Sequence, residues 1–280
     1  MLEAVLLSAA FVVLLISAFT DIRTREVPDW LNFSGIAAGL GIRTLWSLMS
    51  DEWSALGWGL LGFLVFLGIA LMMYYTGQWG GGDSKLMMAL GALLGFELSL
   101  NAISVAFLIW ALFAGAAYGL VWSAWLASRH WNTFIRRYSA LSRSVRWAHL
   151  PALGVLVLGF AFAIASDDQI FRIIMLSLAL IVPVLFYTAL GVKAVEQCCM
   201  YKSMSPAQLT EGDWIARQVV INGRYVTGPK DLGITKGKIK ELQRSNVKSV
   251  IVKEGIPFVP SFLIALLISV LVGSPLQWFF

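Results

Sequence analysis

The chain has 280 residues, a net charge of +5, and a composition that is 59% hydrophobic and only 13% charged. With a mean hydropathy of +0.78 it is too apolar to fold as a water-soluble domain of its length, which excludes the ordinary soluble enzymes and binding modules. The expected class is an all-α polytopic membrane protein with the lipid bilayer as its surroundings, no nucleic-acid partner and no cofactor.

In chain order, apolar segments fall near residues 3–20, 30–49, 54–78, 84–98, 101–127, 149–165, 170–191 and 257–277, which predicts about eight transmembrane helices. The first has Glu3 ahead of it, no basic leading region and no small-residue cleavage site, so it is expected to be a retained span and not a signal peptide. The connections alternate in charge. Those at 21–29, 79–85, 128–148 and 192–256 hold all of the 21 Lys and Arg except Arg43 and Arg172, whereas 50–53, 96–100 and 166–169 carry only Asp51, Glu52, Glu97, Asp167 and Asp168. The positive-inside rule then places the basic connections in the cytoplasm and both termini outside.

Residues 192–256 form the one extended polar region. The stretch 214–221 is strand-like, Asn222-Gly223 is a turn signal, 224–227 reads as a return strand, and Thr235 is placed to cap an amphipathic helix reaching about Arg244. The expected organisation is a transmembrane core at 1–191, a small cytoplasmic α/β insertion at 192–256 and a last transmembrane helix at 257–280. The two cysteines, Cys198 and Cys199, are adjacent, so they neither form a metal cage nor close a useful disulfide loop, and no metal site is expected. His130 and His149 flank the arginine-rich loop without an acidic neighbour in sequence and are read as interfacial, as are the Trp and Tyr residues near span ends. No internal repeat is visible.

Two carboxylates stand out. Asp21 closes the first apolar segment, and Asp83 follows Gly80-Gly81-Gly82 and opens the fourth. A carboxylate at the edge of a span is costly and is a functional candidate by default. Loop parity puts Asp21 and Asp83 on the same membrane face. From residue 84 to 98 a helix covers about 22 Å of a core about 30 Å thick, so Asp83 is expected below the cytoplasmic surface in a water-accessible cleft lined by the glycine backbone. Taken singly, Asp83 also fits a helix N-cap, Asp21 a solvated span end, and Asp29, after Val27-Pro28, the cap of the second span.

The segments Asp21-Ile22-Arg23-Thr24-Arg25-Glu26-Val27-Pro28-Asp29 and Gly80-Gly81-Gly82-Asp83-Ser84-Lys85-Leu86-Met87-Met88-Ala89-Leu90-Gly91-Ala92 resemble the two aspartate motifs of the type IV prepilin peptidases, membrane aspartic proteases of the Gly-x-Gly-Asp class. The resemblance covers roughly the first 130 residues, and beyond it is to archaeal members, including the preflagellin peptidases, which place a cytoplasmic insertion before a last span. It implies an aspartic endopeptidase in the cell membrane that removes a short leader from prepilin-like or preflagellin precursors at the cytoplasmic boundary, with Asp21 and Asp83 catalytic. The cysteine-rich segment of the bacterial bifunctional enzymes is missing, so no methyltransferase activity is expected.

Amide hydrolysis by two carboxylates needs one ionised to deprotonate water and one protonated to donate to the carbonyl oxygen. Asp83 begins a helix and Asp21 ends one, so the dipoles suggest Asp83 as base and Asp21 as acid, with the proton belonging to the coupled pair. Lys85 is expected to point away from Asp83. The basic cytoplasmic segments repel a basic leader, so Glu26 and Asp29 are candidates for leader recognition, and the Gly255-Ile256-Pro257-Phe258-Val259-Pro260 segment could offer free carbonyls to an extended substrate through Pro257 and Pro260, or be a stiff approach to the last span. A presenilin-like intramembrane protease and an ion-coupled transporter using paired aspartates are the alternative classes.

Overall fold

In the computed structural model, which describes residues 1–245 and 247–278, all eight predicted apolar segments are helical. Position 246 of the expected insertion and the last two residues of the expected 257–280 segment lie outside the described residues. The helices are α1 (Leu2–Thr24), α2 (Asp29–Ser50), α3 (Ser54–Tyr75), α4 (Gly81–Leu94), α5 (Ile103–Arg129), α6 (Trp131–Ser144), α7 (Arg146–Ala165), α8 (Gln169–Cys199), α9 (Lys236–Arg244) and α10 (Val259–Val272). Of these, α1, α3, α5, α7 and α8 are each long and apolar enough to cross a membrane. The protein is a multi-pass, all-α membrane protein with a small α/β portion. By length and composition α2, which carries Asp29 and Arg43, falls outside that set, and α4 and α10 have only 14 residues each.

The chain packs as two compact units, Met1–Gly119 with Ser203–Phe280, and Leu120–Lys202. In the first, α4 is the central helix. Leu86, Met87, Ala89, Leu90, Gly91, Ala92, Leu93 and Leu94 are all buried, enclosed by α1, α2 and α3. Close approach depends on small residues, as in membrane helix pairs generally. A Cβ on Gly62 of α3 would stand 2.3 Å from the Gly91 carbonyl oxygen, and one on Gly39 of α2 would stand 2.7 Å from the Ala92 carbonyl carbon. The helix ends at Gly95, with φ +69°, about one turn earlier than hydropathy alone extends it. Its last carbonyls are taken by Arg43, a buried guanidinium that donates to Ala92 (3.2 Å), Leu93 (3.0 Å) and, on α3, Ala55 (3.0 Å). A cation at a helix C-terminus also opposes the negative end of the dipole. At 14 residues, α4 covers about 21 Å.

The same unit carries the α/β portion. Strands β1 (Tyr201–Met204), β5 (Val250–Lys253) and β2 (Trp214–Ile215) form a sheet in the order β1-β5-β2, and β3 (Val219–Ile221) and β4 (Arg224–Thr227) a hairpin. The hairpin turns through Asn222 and Gly223, both at positive φ, as the Asn-Gly signal predicts. The single expected strand at 214–221 is two strands in two sheets, because Trp214 and Ile215 pair with β5 while Val219 to Ile221 pair with β4. Ile239 and Leu242 of α9 bury against Ile215, Val226, Ile234, Val250 and Val252, and Thr235 is the N-cap residue but makes no side-chain cap bond.

In the second unit α7 packs on α8, with Gly159 facing Ala179 so closely that a Cβ would lie 2.7 Å from the alanine's. Helix α8 continues past residue 191 to Cys199, so the first residues assigned to the insertion are helical. The adjacent Cys198 and Cys199 sulfurs are joined, which the sequence reading did not anticipate as cysteine chemistry. The connection at 128–148 holds the amphipathic helix α6, whose Trp131, Phe134, Ile135, Tyr138 and Leu141 recur at helical spacing but whose interleaved polar and arginine residues hide it from a hydropathy window. His149 bridges Ser142 Oγ (2.9 Å) and the Tyr187 hydroxyl (3.2 Å).

Candidate active site

Asp21 sits in the last turn of α1 and is 5% exposed. The helix ends just beyond it because Arg25 takes a left-handed conformation (φ 60°) and Val27-Pro28 cannot continue a helix. Its Oδ2 accepts a hydrogen bond from the backbone N–H of Val259, 2.9 Å away, the first residue of α10. Arg25 in turn donates to the Gly255 carbonyl.

Asp83 is the third residue of α4. Gly80 is the N-cap, and the Gly80 N–H donates to Asp83 Oδ2 at 3.2 Å, while the Ser84 hydroxyl donates to the Gly80 carbonyl at 3.0 Å. Asp83 therefore lies inside the first turn, where its carboxylate satisfies the N–H of the N-cap residue, and is not itself the N-cap. Gly82 faces the α1–α2 connection so closely that a Cβ would meet the Val27 nitrogen at 3.3 Å. Asn32 of α2, fully buried, reaches the Gly82 carbonyl with its Nδ2 at 3.5 Å, and its Oδ1 has no partner among the described residues. Lys85 turns away from Asp83 and pairs with Asp29 at 2.6 Å.

The segments that carry Asp21 and Asp83 thereby pack against each other, Gly82 standing against Val27, which brings together the C-terminal end of α1 and the N-terminal end of α4. Gly80 is the N-cap and Gly81 and Gly82 are the first two residues of α4, leading directly into Asp83. Pro257 and Pro260 flank Val259 beside Asp21, but the segment does not present free carbonyls throughout. Gly255 accepts from Arg25, and Phe258 accepts from the Ser261 N–H at 3.0 Å and hydroxyl at 2.7 Å. What it supplies to Asp21 is an N–H donor. Pro260 also occupies the first turn of α10, the stiff approach weighed above.

Asp29 is not the cap of α2: the N-cap is Pro28, and the Asp29 carboxylate is exposed and engaged by Lys85. Glu26 is exposed at the same connection. The assignment of Asp83 as base and Asp21 as acid also loses its footing. The N-terminus of α10 faces Asp21, so both carboxylates meet the positive end of a helix and the dipoles no longer separate them. The sequence reading missed Val259, because a backbone amide 238 residues away leaves no signal. It also passed over Asn32 and Arg43, whose polarity within apolar segments was the available signal.

Residues 8–120 match the type IV leader peptidase family. The chain is 35% identical over 81 residues to a preflagellin peptidase of Methanocaldococcus jannaschii. That alignment covers 29% of this chain and 34% of the relative, about a third of its length. No solved structure gives a significant match.

Proposed function

We propose that the protein is an aspartic-type endopeptidase that removes the leader from prepilin-like or preflagellin precursors at the cytoplasmic boundary of the membrane. The observation that carries this is that Asp21 and Asp83, drawn from the two motifs of the matched segment, lie at the ends of helices that pack against each other, with Gly82 against Val27. Two close carboxylates share a proton because both cannot ionise at little cost. The ionised member takes a proton from a water that attacks the scissile carbonyl carbon. The protonated member donates to the carbonyl oxygen, and the proton then held by the base goes to the leaving amine as the C–N bond breaks.

The precursors fitting such a site have a polar leader followed by a hydrophobic helix, so that the cleaved bond arrives at the depth of Asp83. Glu26 remains a candidate contact for a basic leader, while Asp29 is a weaker one because Lys85 already neutralises it. Pro257 and Pro260 contribute by shaping the backbone beside Asp21. The site opens to the cytoplasm, with both termini on the other face, and the region at 192–256 is a cytoplasmic insertion between the transmembrane core and the last helix.

The purified protein in lipid vesicles should convert a preflagellin or prepilin precursor to the leaderless form with a single new amino terminus. Cleavage within the hydrophobic segment instead would favour the presenilin-like reading, and no cleavage of either precursor class would remove the proposed substrate.

A further inference from the structure

The start of α10 lies outside the segment that matches the family, yet it touches both Asp21 and the residue that leads into the glycines before Asp83. Towards α1, the Val259 N–H holds Asp21 Oδ2 at 2.9 Å, and Arg25 holds the Gly255 carbonyl. The first N–H groups of a helix have no partner within it, so this amide is available to a carboxylate, and Pro257 and Pro260 on either side have no N–H to compete. Towards α4, Trp79, the residue before Gly80, packs its ring on Phe258 (centroids 6.3 Å apart) and edge-on to Phe262 (5.3 Å). Phe258 and Phe262 pack edge-on to each other at 5.3 Å, and Phe262 continues to Phe107 of α5 at 6.2 Å. The Phe258 ring in turn needs a gap in α5: a Cβ on Gly115 would stand 2.7 Å from its Cζ.

We propose that the start of α10 sets the separation of Asp21 and Asp83, with Phe258 and Trp79 as positioning residues. One element grips the end of α1 through an amide and the glycine turn of α4 through aromatic rings. The distance between the carboxylates is then fixed by where the Phe258 ring sits, and Gly115 determines that place from a helix that carries neither aspartate. Because β5 ends at Lys253, only five residues separate the α/β portion from Val259, so this portion is joined directly to the positioning element.

The inference deepens the proposed function and rests on it for its kinetic arm, while amide exchange tests it independently. Gly115→Ala pushes on the Phe258 ring, whereas Gly119→Ala, one turn further along α5, meets nothing within 4 Å. In Gly115→Ala, kcat for precursor cleavage should fall about tenfold or more with KM within about twofold, since misplacement of reacting groups costs rate and not ground-state binding. Its pH–rate profile should also shift, because the titration of a coupled pair depends on its separation. Gly119→Ala should match the wild type in both. Trp79→Phe should retain most of the rate that Trp79→Ala loses. Hydrogen exchange at the Val259 amide should be slow in the wild type and in Gly119→Ala and at least tenfold faster in Gly115→Ala and Asp21→Ala. Exchange that responds in a protein cleaving no precursor would support the coupling and count against the proposed function alone. Gly115→Ala indistinguishable from Gly119→Ala in amide exchange, or in kcat and pH profile where cleavage occurs, would overturn the inference.

Discussion

At the scale of single residues, the polar groups inside the first unit divide by what they hold. Lys85 and Asp29 are joined at 2.6 Å, but their side chains are 36% and 61% exposed, so water and salt screen the pair. Asp29→Asn should lower stability by less than about 1 kcal/mol and leave cleavage near the wild-type rate, which thermal unfolding in detergent and a cleavage assay will check. Arg43 is the opposite case. Its guanidinium satisfies three carbonyls at a buried site, so Arg43→Leu leaves them unpaired at a cost of roughly 1–3 kcal/mol each, and a marked fall in the unfolding temperature is expected. Asp21 and Asp83 could be read from the sequence because a carboxylate at the end of an apolar run, and one after three glycines, are local signals. The partners of Asp21, Asn32 and Arg43 could not, since each is a backbone group brought close only by helix packing.

At the scale of elements, helix contacts and strand pairings differ in how much local sequence reveals. Every predicted apolar segment is a helix, because sustained hydropathy is a property of the segment itself. The amphipathic α6 escaped because its apolar residues are spaced and not contiguous, and β1 and β5 because a short strand is defined by its partner. The α3–α4 contact depends on Gly62 standing 2.3 Å, for an added Cβ, from the Gly91 carbonyl oxygen, whereas Gly68 of the same helix meets nothing. Gly62→Ala should therefore destabilise the fold by about 1–3 kcal/mol or more, while Gly68→Ala should be neutral or slightly stabilising, measured as unfolding in detergent. In the α/β portion, burial alone would raise the Asp231 carboxyl, but hydrogen bonds from Lys238 (2.7 Å) and Thr227 (2.9 Å) outweigh it and hold it below the usual carboxylate value. A carboxyl depressed in the folded state adds stability above the unfolded-state value near 3.8, and that stability is lost as pH falls through the folded value. Asp231→Asn should thus speed amide exchange in α9 and β4 at neutral pH, with the difference from wild type vanishing in strong acid.

At the scale of the whole molecule, the proposed topology and the proposed chemistry make one joint demand, because residues that must act together have to share a membrane face. Cysteines substituted at positions 26 and 230 should react with a membrane-impermeant thiol reagent only from the cytoplasmic side, and labelling from outside would reverse the orientation. The account as a whole stands on the aspartate pair. Its most direct test is precursor cleavage by wild type, Asp21→Asn and Asp83→Asn in lipid vesicles, with insertion and folding of each variant confirmed by protease protection and thermal unfolding. Each substitution removes a proton exchange that hydrolysis needs, so a loss of at least about a thousandfold is expected from either variant in a folded protein. Near wild-type cleavage by either one would contradict the account.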